Sequence, residues 1–403
     1  MTTAGSSSTV LALNSGSSSL KFGLYRVGSS ATPHVLLEGE VEAIGDRSGK
    51  FWANDGSGDR LVSEPSHCQN QQDAIARIGA FLADRTEPQP FAVGHRVVHG
   101  GPHLTHHCAI DDAVLRQLEA ASALAPLHNP PALAVIRFAQ QHFPNVAHVA
   151  CFDTAFHADM PEIARTLPIP LALRADGIWR YGFHGLSCES IVRQLGDDLP
   201  DRVIIAHLGN GVSVTAVARG RSIDTSMSLT PAGGVMMGTR CGDLDPGVLI
   251  YLMREKRFDA AQLEALVNRQ SGLLGLSGIA SDMRSLRQAA EQEPDEASNS
   301  TADARLAIAM FCYAIRKQIA AMIAALDGLD LLVFAGGIGE HDPAVRAAIC
   351  DGLSWLGVRL DRARNETSTG LISDRTSRCP VRVIPSQEDA QIAFHTSRIA
   401  GRF

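Results

Sequence analysis

Ala206-His207-Leu208-Gly209-Asn210-Gly211-Val212-Ser213 follows the apolar run Val203 to Ile205 and leads into the alternating stretch Ser213 to Ala218, which reads as strand, glycine turn, strand. A turn built Gly-Asn-Gly lets bare backbone N–H groups approach an anion closely, because glycine has no Cβ and accepts positive φ. The plan recurs near the amino terminus. There Thr9 to Leu13 is apolar, Asn14 to Ser19 is a small polar turn, and Leu20 to Tyr25 alternates outward. Two such hairpins about 190 residues apart predict a duplicated fold gripping a nucleotide between its halves.

The rest of the chain alternates strand and helix signals, which implies an α/β fold. Asp111 to Ala125 has helical spacing behind an acidic start, and a further helix begins after Asn129-Pro130-Pro131. Val146 to Phe152 reads as a buried strand ending at Asp153, and the carboxyl ends of strands are where such folds place ligands. Thr301 to Leu326 is the longest helical candidate, preceded by the polar stretch Glu291 to Ser300, read as an exposed loop. Leu331 to Ala335 is another buried strand, Gly336-Gly337-Ile338-Gly339 a third nucleotide-facing turn, and Asp342-Pro343 the cap and first-turn proline of a helix.

The 403 residues exceed one ordinary core and predict two domains. With 45% hydrophobic and 20% charged residues the chain reads as soluble and globular. No apolar stretch reads as the ~18 to 20 residues of a membrane span. Arg305, Arg316 and Lys317 argue against a lipid-buried helix, and the small polar start, Met1 to Ser8, is read as a frayed tail and not a leader. A net charge of -7 excludes broad nucleic-acid binding, so an anionic ligand must meet locally placed cations. Eight cysteines without a C-x-x-C pair fit reduced thiols in a cytoplasm.

Eight segments in order over almost the whole chain carry a resemblance. They are Leu13 to Phe22, Gly94-His95-Arg96-Val97-Val98-His99-Gly100-Gly101, Phe152 to His157, Arg180-Tyr181-Gly182-Phe183-His184-Gly185, the His207 turn, Met237 to Arg240, Ser281 to Arg284, and Gly337 to Glu340. Together they resemble the acetate kinase family, within the actin-like and sugar-kinase-like ATPase superfamily. The pattern departs at His341, where the family usually has Asn, at Cys188, where it has His, and at Ala232-Gly233-Gly234-Val235, where it has Leu-Glu-Gly-Leu.

The resemblance implies two duplicated actin-like, ribonuclease H-like domains with the active-site cleft between them. Residues 1–154 and 388–403 would form the acyl and metal side, and residues 155–387 the nucleotide-binding domain. It implies ATP-dependent, reversible phosphorylation of acetate to acetyl phosphate by in-line transfer to a carboxylate, with propionate kinase as the alternative. It further implies a cytoplasmic homodimer that closes around ATP and a small carboxylate, with Mg2+, or Mn2+ in its place, and neither nucleic acid nor membrane as partner.

By the same resemblance the catalytic residues are Arg96, Asp153, His184 and Arg240, and the acyl niche is lined by Val98, Leu127, His128, Phe183 and Pro231 beside Arg96. ATP would be held by Lys21, His207, Leu208, Gly209, Asn210 and Gly211, by Asp282, Met283 and Arg284, and by Gly337, Ile338, Gly339, Glu340 and His341. Asn14 and Glu388 would hold the metal, with Asp389 a competing carboxylate.

This chemistry suits these residue types. A small carboxylic acid titrates near 4, so at neutral pH the nucleophile is already ionised and needs no base. The obstacle is repulsion between two anions, which the planar fork of arginine relieves better than lysine. Asp153 is accordingly assigned orientation in preference to proton abstraction. His95, His99, His103, His106 and His107 crowd thirteen residues but keep no zinc-like register. No Gly-Lys-Ser/Thr P-loop, Rossmann glycine pattern or serine elbow occurs. A sugar kinase reading is disfavoured by the apolar, arginine-bearing niche, and a nucleotide-switch reading by the lack of a spare partner-binding stretch.

Overall fold

The computed structural model describes residues 8–16, 18–28, 32–85, 89–293, 299–367 and 370–401. The tail before Ser8, Ser17 in the first turn, and half of the loop expected over Glu291 to Ser300 lie outside the described residues. The chain forms two units: Met1–Ala158 with Gly185–Ser190 and Gln387–Phe403, and Asp159–His184 with Ile191–Ser386.

The first unit is built on eight strands: β1 (Ser8–Ser15), β2 (Leu20–Val27), β3 (His34–Glu42), β4 (Lys50–Asp55), β5 (Arg60–Pro65), β6 (Ala92–Val97), β7 (Cys108–Ala109) and β8 (Ala147–Phe152). Their order is β5-β4-β3-β2-β1-β6-β8-β7. β1 and β2 form the expected antiparallel hairpin, with Asn14 opposite Lys21, whereas β1, β6 and β8 run parallel. Successive side chains of a strand point to opposite faces, and β1 is apolar on both. Leu11 and Leu13 enter one core with residues of helix Gln71–Ala83, and Val10 and Ala12 enter another with Ala390, Ile392 and Ala393 of the last helix, Glu388–Ala400.

Gly94 lets that last helix close onto β6. A Cβ there would stand 2.1 Å from Thr396 Oγ1 and 2.6 Å from Ile392 Cγ2, so only glycine admits the helix at this depth. The short piece Gly185–Ser190 joins the first unit because the Gly185 N–H bonds to the Asp153 carbonyl at 2.8 Å and Leu186 enters the core beside Val10.

The second unit repeats the plan with β9 (Arg202–Leu208), β10 (Val212–Ala218), β11 (Arg221–Thr225), β12 (Leu331–Ala335), β13 (Gly370–Leu371) and β14 (Val381–Val383), ordered β11-β10-β9-β12-β14-β13. β9 takes the place of β1: an antiparallel hairpin lies on one side of it and parallel β12 and β14 on the other. The glycine run after β12 departs from the expected open turn and winds into helix Gly336–His341. Gly336 turns the chain at φ 74°, and the buried Arg346 guanidinium bonds to the Gly339 and Glu340 carbonyls, satisfying acceptors that a helix end leaves bare. Asp342 caps the following helix, bonding to the Val345 N–H, with Pro343 in its first turn. The earlier helix spans Asp112–Ala121, shorter than its periodicity suggested, and its neighbour starts at Asn129.

Helix Ser300–Leu326 corrects one expectation, since among the described residues it is long and apolar enough to cross a membrane by length and composition. One face of it packs into the unit, while Leu306, Met310 and Tyr313 stay exposed. Ala304, Ala307, Phe311, Ile315, Ile319, Met322 and Leu326 recur three or four apart, are buried, and face β9, β10 and β11, while Arg305, Arg316 and Lys317 occupy other positions.

Candidate active site

In the first unit three parallel strands bring their carboxyl ends to one sheet edge: β1 delivers Asn14, β6 Arg96, and β8 is followed directly by Asp153. Arg96 Nη2 donates to Asp153 Oδ2 at 2.7 Å, and Nε lies 3.2 and 3.1 Å from the two carboxylate oxygens. Its remaining arm, Nη1, donates to Asn14 Oδ1 at 3.1 Å. The Asn14 amide then donates to Asp389 Oδ1 at 2.8 Å and, more weakly, to Glu388 Oε2 at 3.4 Å.

Asp153 and Asn14 are buried and the rest of the network is half-buried: the Asp153 side chain is 2% exposed and that of Arg96 18%. Burial opposes the Arg96 charge, but Asp153, Glu388 and Asp389 outweigh it and hold the guanidinium firmly protonated. Burial raises the Asp153 carboxyl above its ordinary range, with Arg96 pulling the other way, and raises Asp389 likewise against Asn14 and Lys21. Val98 is buried, and Leu127 and His128 are half-buried, in this unit. His128 stands immediately before helix Asn129–His142.

The donor set suits a hard divalent cation, which takes oxygen ligands and needs few from the protein. Glu388 and Asp389 supply carboxylates at the amino end of the last helix. Asn14 already shares its oxygen with Arg96.

In the second unit His184 adopts φ 60° and ψ 28°, left-handed backbone that aims its ring off the end of helix Gly185–Leu195. Its Nδ1 lies 3.0 Å from Ser213 Oγ, and its ring is 4.2 Å from that of His207. Gly211 explains the glycine turn: a Cβ there would stand 3.0 Å from His184 Nε2 and 3.4 Å from Arg240 Nη1. The turn's backbone therefore lies against both tips. Gly238 is required in the same way, since a Cβ would meet Asn210 Oδ1 at 2.4 Å. Arg240 is half-buried, with Nη1 3.4 Å from the Pro231 carbonyl.

β9 and β12 pair in parallel, so their following turns are adjacent, and a Cβ on Gly336 would press on the Leu208 carbonyl and His207 Nε2. Gly337 and His341 are exposed there, while Glu340 Oε1 accepts from the Gly336 and Ser386 N–H groups and so braces the turn. Asp282 caps helix Met283–Glu291, and the bond from the Ser285 N–H lowers its carboxyl from the ordinary value. Asp282 and Arg284 are exposed, whereas Met283 is buried. Phe183 and Pro231 are buried in this unit. The Ser213 hydroxyl was assigned no part from sequence, although it lies inside the quoted glycine segment.

The histidine-rich stretch divides. His99 Nδ1 accepts from the Gly101 N–H, His106 meets Thr105, and His107 meets Glu189. His95 Nε2 lies 3.0 Å from His148 Nδ1, and His148 Nε2 bonds to the Phe143 carbonyl. Since the Phe143 carbonyl can only accept, His148 is protonated at Nε2 and accepts from His95.

Burial, with the charge of His148 adding, holds His95 well below the ordinary histidine value, and burial lowers His148. The unfolded chain takes up protons near pH 6.5 while the folded pair resists them, so stability is present above that pH and falls as the pH drops below it. Each group that stays neutral costs about 1.4 kcal/mol per pH unit. Melting temperature should therefore decline between pH 6.5 and 5, and His148→Gln should flatten the decline; an unchanged slope would show that the pair does not govern it.

Known proteins resemble this chain over nearly its whole length. The profile of the acetokinase family matches residues 9–394. An acetate kinase of Methylocella silvestris is 41% identical over 96% of this chain and 96% of its own, and one of Rhodopseudomonas palustris is 41% identical over 98% and 99%. Among solved structures, a propionate kinase from Francisella tularensis aligns at a TM-score of 0.89 with 36% identity, covering 97% of this chain and all of its own. The acetate kinase of Porphyromonas gingivalis aligns at 0.84 with 35% identity, covering 97% and 99%.

Proposed function

The chain belongs to the acetokinase family, and from that premise we propose that it transfers the γ-phosphoryl group of ATP to the carboxylate of acetate, reversibly, by direct in-line displacement. The observation carrying this reading is the part-buried guanidinium of Arg96, held by Asp153 and Asn14 at the strand ends. A charge fixed before substrate arrives is what two mutually repelling anions require, and it needs no reorganisation during transfer.

Arg96 attracts the acetate carboxylate and the transferring group, and Asp153 aims Arg96, as no proton has to leave the nucleophile. His184, oriented through Ser213, donates to a phosphoryl oxygen, and Arg240 neutralises charge on the same group. Backbone N–H groups of His207 to Gly211 cradle the phosphates and Lys21 meets one of them, while Asp282 to Arg284 and Gly337 to His341 receive the adenosine. Glu388 and Asn14 would hold Mg2+, which would supply positive charge against the phosphates. Val98, Leu127, His128, Phe183 and Pro231 receive the methyl end.

One methylene in such a niche is worth only ~1 to 3 kcal/mol, so propionate is a weaker acceptor and not an excluded one. The likeness to the Francisella propionate kinase keeps propionate as the second reading. ATP as donor places the reaction in the cytoplasm. Helix Pro246–Glu255 has no buried residue and exposes Val248, Ile250, Tyr251 and Met253, a surface suited to a second copy of the chain. Sedimentation at twice the chain mass would support a homodimer, and sedimentation at the chain mass would refute it.

The deciding experiment supplies ATP and magnesium with acetate, propionate, butyrate or glycerol and traps acyl phosphate as the hydroxamate. Acetate should exceed propionate, with nothing from glycerol. Activity confined to the longer acids would move the assignment to propionate or butyrate, and none with any acid would refute it.

A further inference from the structure

In the first unit, near enough to Asp153 for Glu189 to act on its carboxyl, three titratable side chains meet that the proposed reaction does not use. His107 Nε2 lies 3.3 Å from both oxygens of Glu189, and His395 Nε2 lies 2.7 Å from Glu189 Oε2. The two imidazole rings are 3.9 Å apart, and the Gln391 side-chain amide lies 2.9 Å from His395 Nε2, whose proton goes to Glu189. By composition and spacing the trio could hold a divalent cation. The protonation pattern argues otherwise. The Phe152 N–H donates to His107 Nδ1 at 3.0 Å, so Nδ1 is the acceptor and Nε2 carries the proton. That leaves Nε2 no lone pair for a metal, and makes it a donor to Glu189.

The contacts of this trio converge on one place. Phe152 ends β8 and Asp153 follows it, and the Asp153 carbonyl accepts from the Gly185 N–H at 2.8 Å. Glu189 lies one turn further along that helix, and His395 lies in the helix whose first turn carries Glu388 and Asp389. We propose that Glu189, gripped by the N–H groups of His107 and His395, is a positioning residue for Asp153: it locks the end of β8 to the first turn of helix Gly185–Leu195 and so fixes the carboxylate that aims Arg96. Burial would raise the Glu189 carboxyl, yet the hydrogen bonds from both histidines bring it down to about 2, so the grip persists across the working pH range.

The inference rests on the phosphoryl-transfer reading for its kinetic effect, and it has a structural readout that does not. Glu189→Gln keeps the side chain's shape but offers one acceptor oxygen to two donors. A displacement of about 1 Å at a reacting group costs up to 100-fold. E189Q should therefore lower kcat about tenfold or more while KM for ATP stays within twofold, because the nucleotide turns belong to the second unit.

Hydrogen exchange on the full-length protein should show peptides spanning 150–153 and 185–190 exchanging about tenfold faster than in the wild type, with peptides of β9 and β12 unchanged. His395→Gln, which leaves the His107 contacts in place, should show the same split in smaller measure and serves if E189Q fails to fold. Unchanged kcat with unchanged local exchange overturns the proposal. Uniform acceleration of every peptide also overturns it, since that marks general destabilisation. A wild-type protein yielding no hydroxamate would refute the reaction, while the exchange result would still decide the clasp.

Discussion

Replacing Arg96 with alanine should lower acyl phosphate formation about 1,000-fold, the scale on which a transition-state arginine acts in phosphoryl transfer. It should also destabilise the fold, because Asp153 is 2% exposed and would lose the guanidinium that three N–H contacts bind to it. Removing one partner of a buried pair costs about 3 to 5 kcal/mol when the other stays charged. Asp153 has a way out, since burial already raises its carboxyl above the ordinary range. Without Arg96 that carboxyl rises further, the folded state then binds a proton that the unfolded state releases, and the variant's deficit shrinks as pH falls from 7 toward 5. The two roles separate in R96A/D153N: melting temperature should recover while turnover does not. Recovery of turnover in the double variant would refute the assignment of Arg96 to the reaction.

Arg240→Ala should reduce turnover on a similar scale, about 1,000-fold, with a different stability signature. Arg240 is half-buried, and its contacts include the Pro231 carbonyl at 3.4 Å and Met237 Sδ at 3.9 Å. The change should move stability by about 1 kcal/mol, the usual scale of a single substitution and well below the cost in R96A. Arg240→Lys should restore little, because an ammonium cannot present two parallel donors. Guanidinium ion added at low concentration should restore part of the R240A activity by entering the vacated space. A variant that melts many degrees lower, or one with near-normal turnover, would remove Arg240 from the reaction and make it a scaffold residue.

Much of this arrangement is written locally. The β1–β2 and β9–β10 hairpins announce themselves because apolar alternation and small turn residues are short-range signals, and Asp153 is visible as the polar residue ending an apolar strand. Gly211 is legible as a glycine, but its reason, the nearness of His184 and Arg240, depends on residues 27 and 29 positions away and appears only in three dimensions. Glu189 looks like an ordinary solvent-facing residue of an amphipathic helix; its partners lie 82 and 206 positions distant and leave no periodic trace. The glycine run at Gly336 reads as a turn from sequence because the bonds ending its helix come from Arg346, outside the run itself.

The closing helix also governs the order in which the molecule can be made. Residues 191–386 emerge as one uninterrupted stretch and hold most of the second unit, so that unit can fold during synthesis. The first unit cannot finish then: β1 and β6 wait almost the whole length of the chain for Ile392 and Ala393 to cover one face, and Asn14 waits for Asp389. A stop codon a few residues before Gln387 would thus leave a product with an open apolar sheet and Asn14 without Glu388 and Asp389. Quality-control proteases should clear such a product, so synthesis of the thirteen-residue helix Glu388–Ala400 is what releases the first unit from their reach.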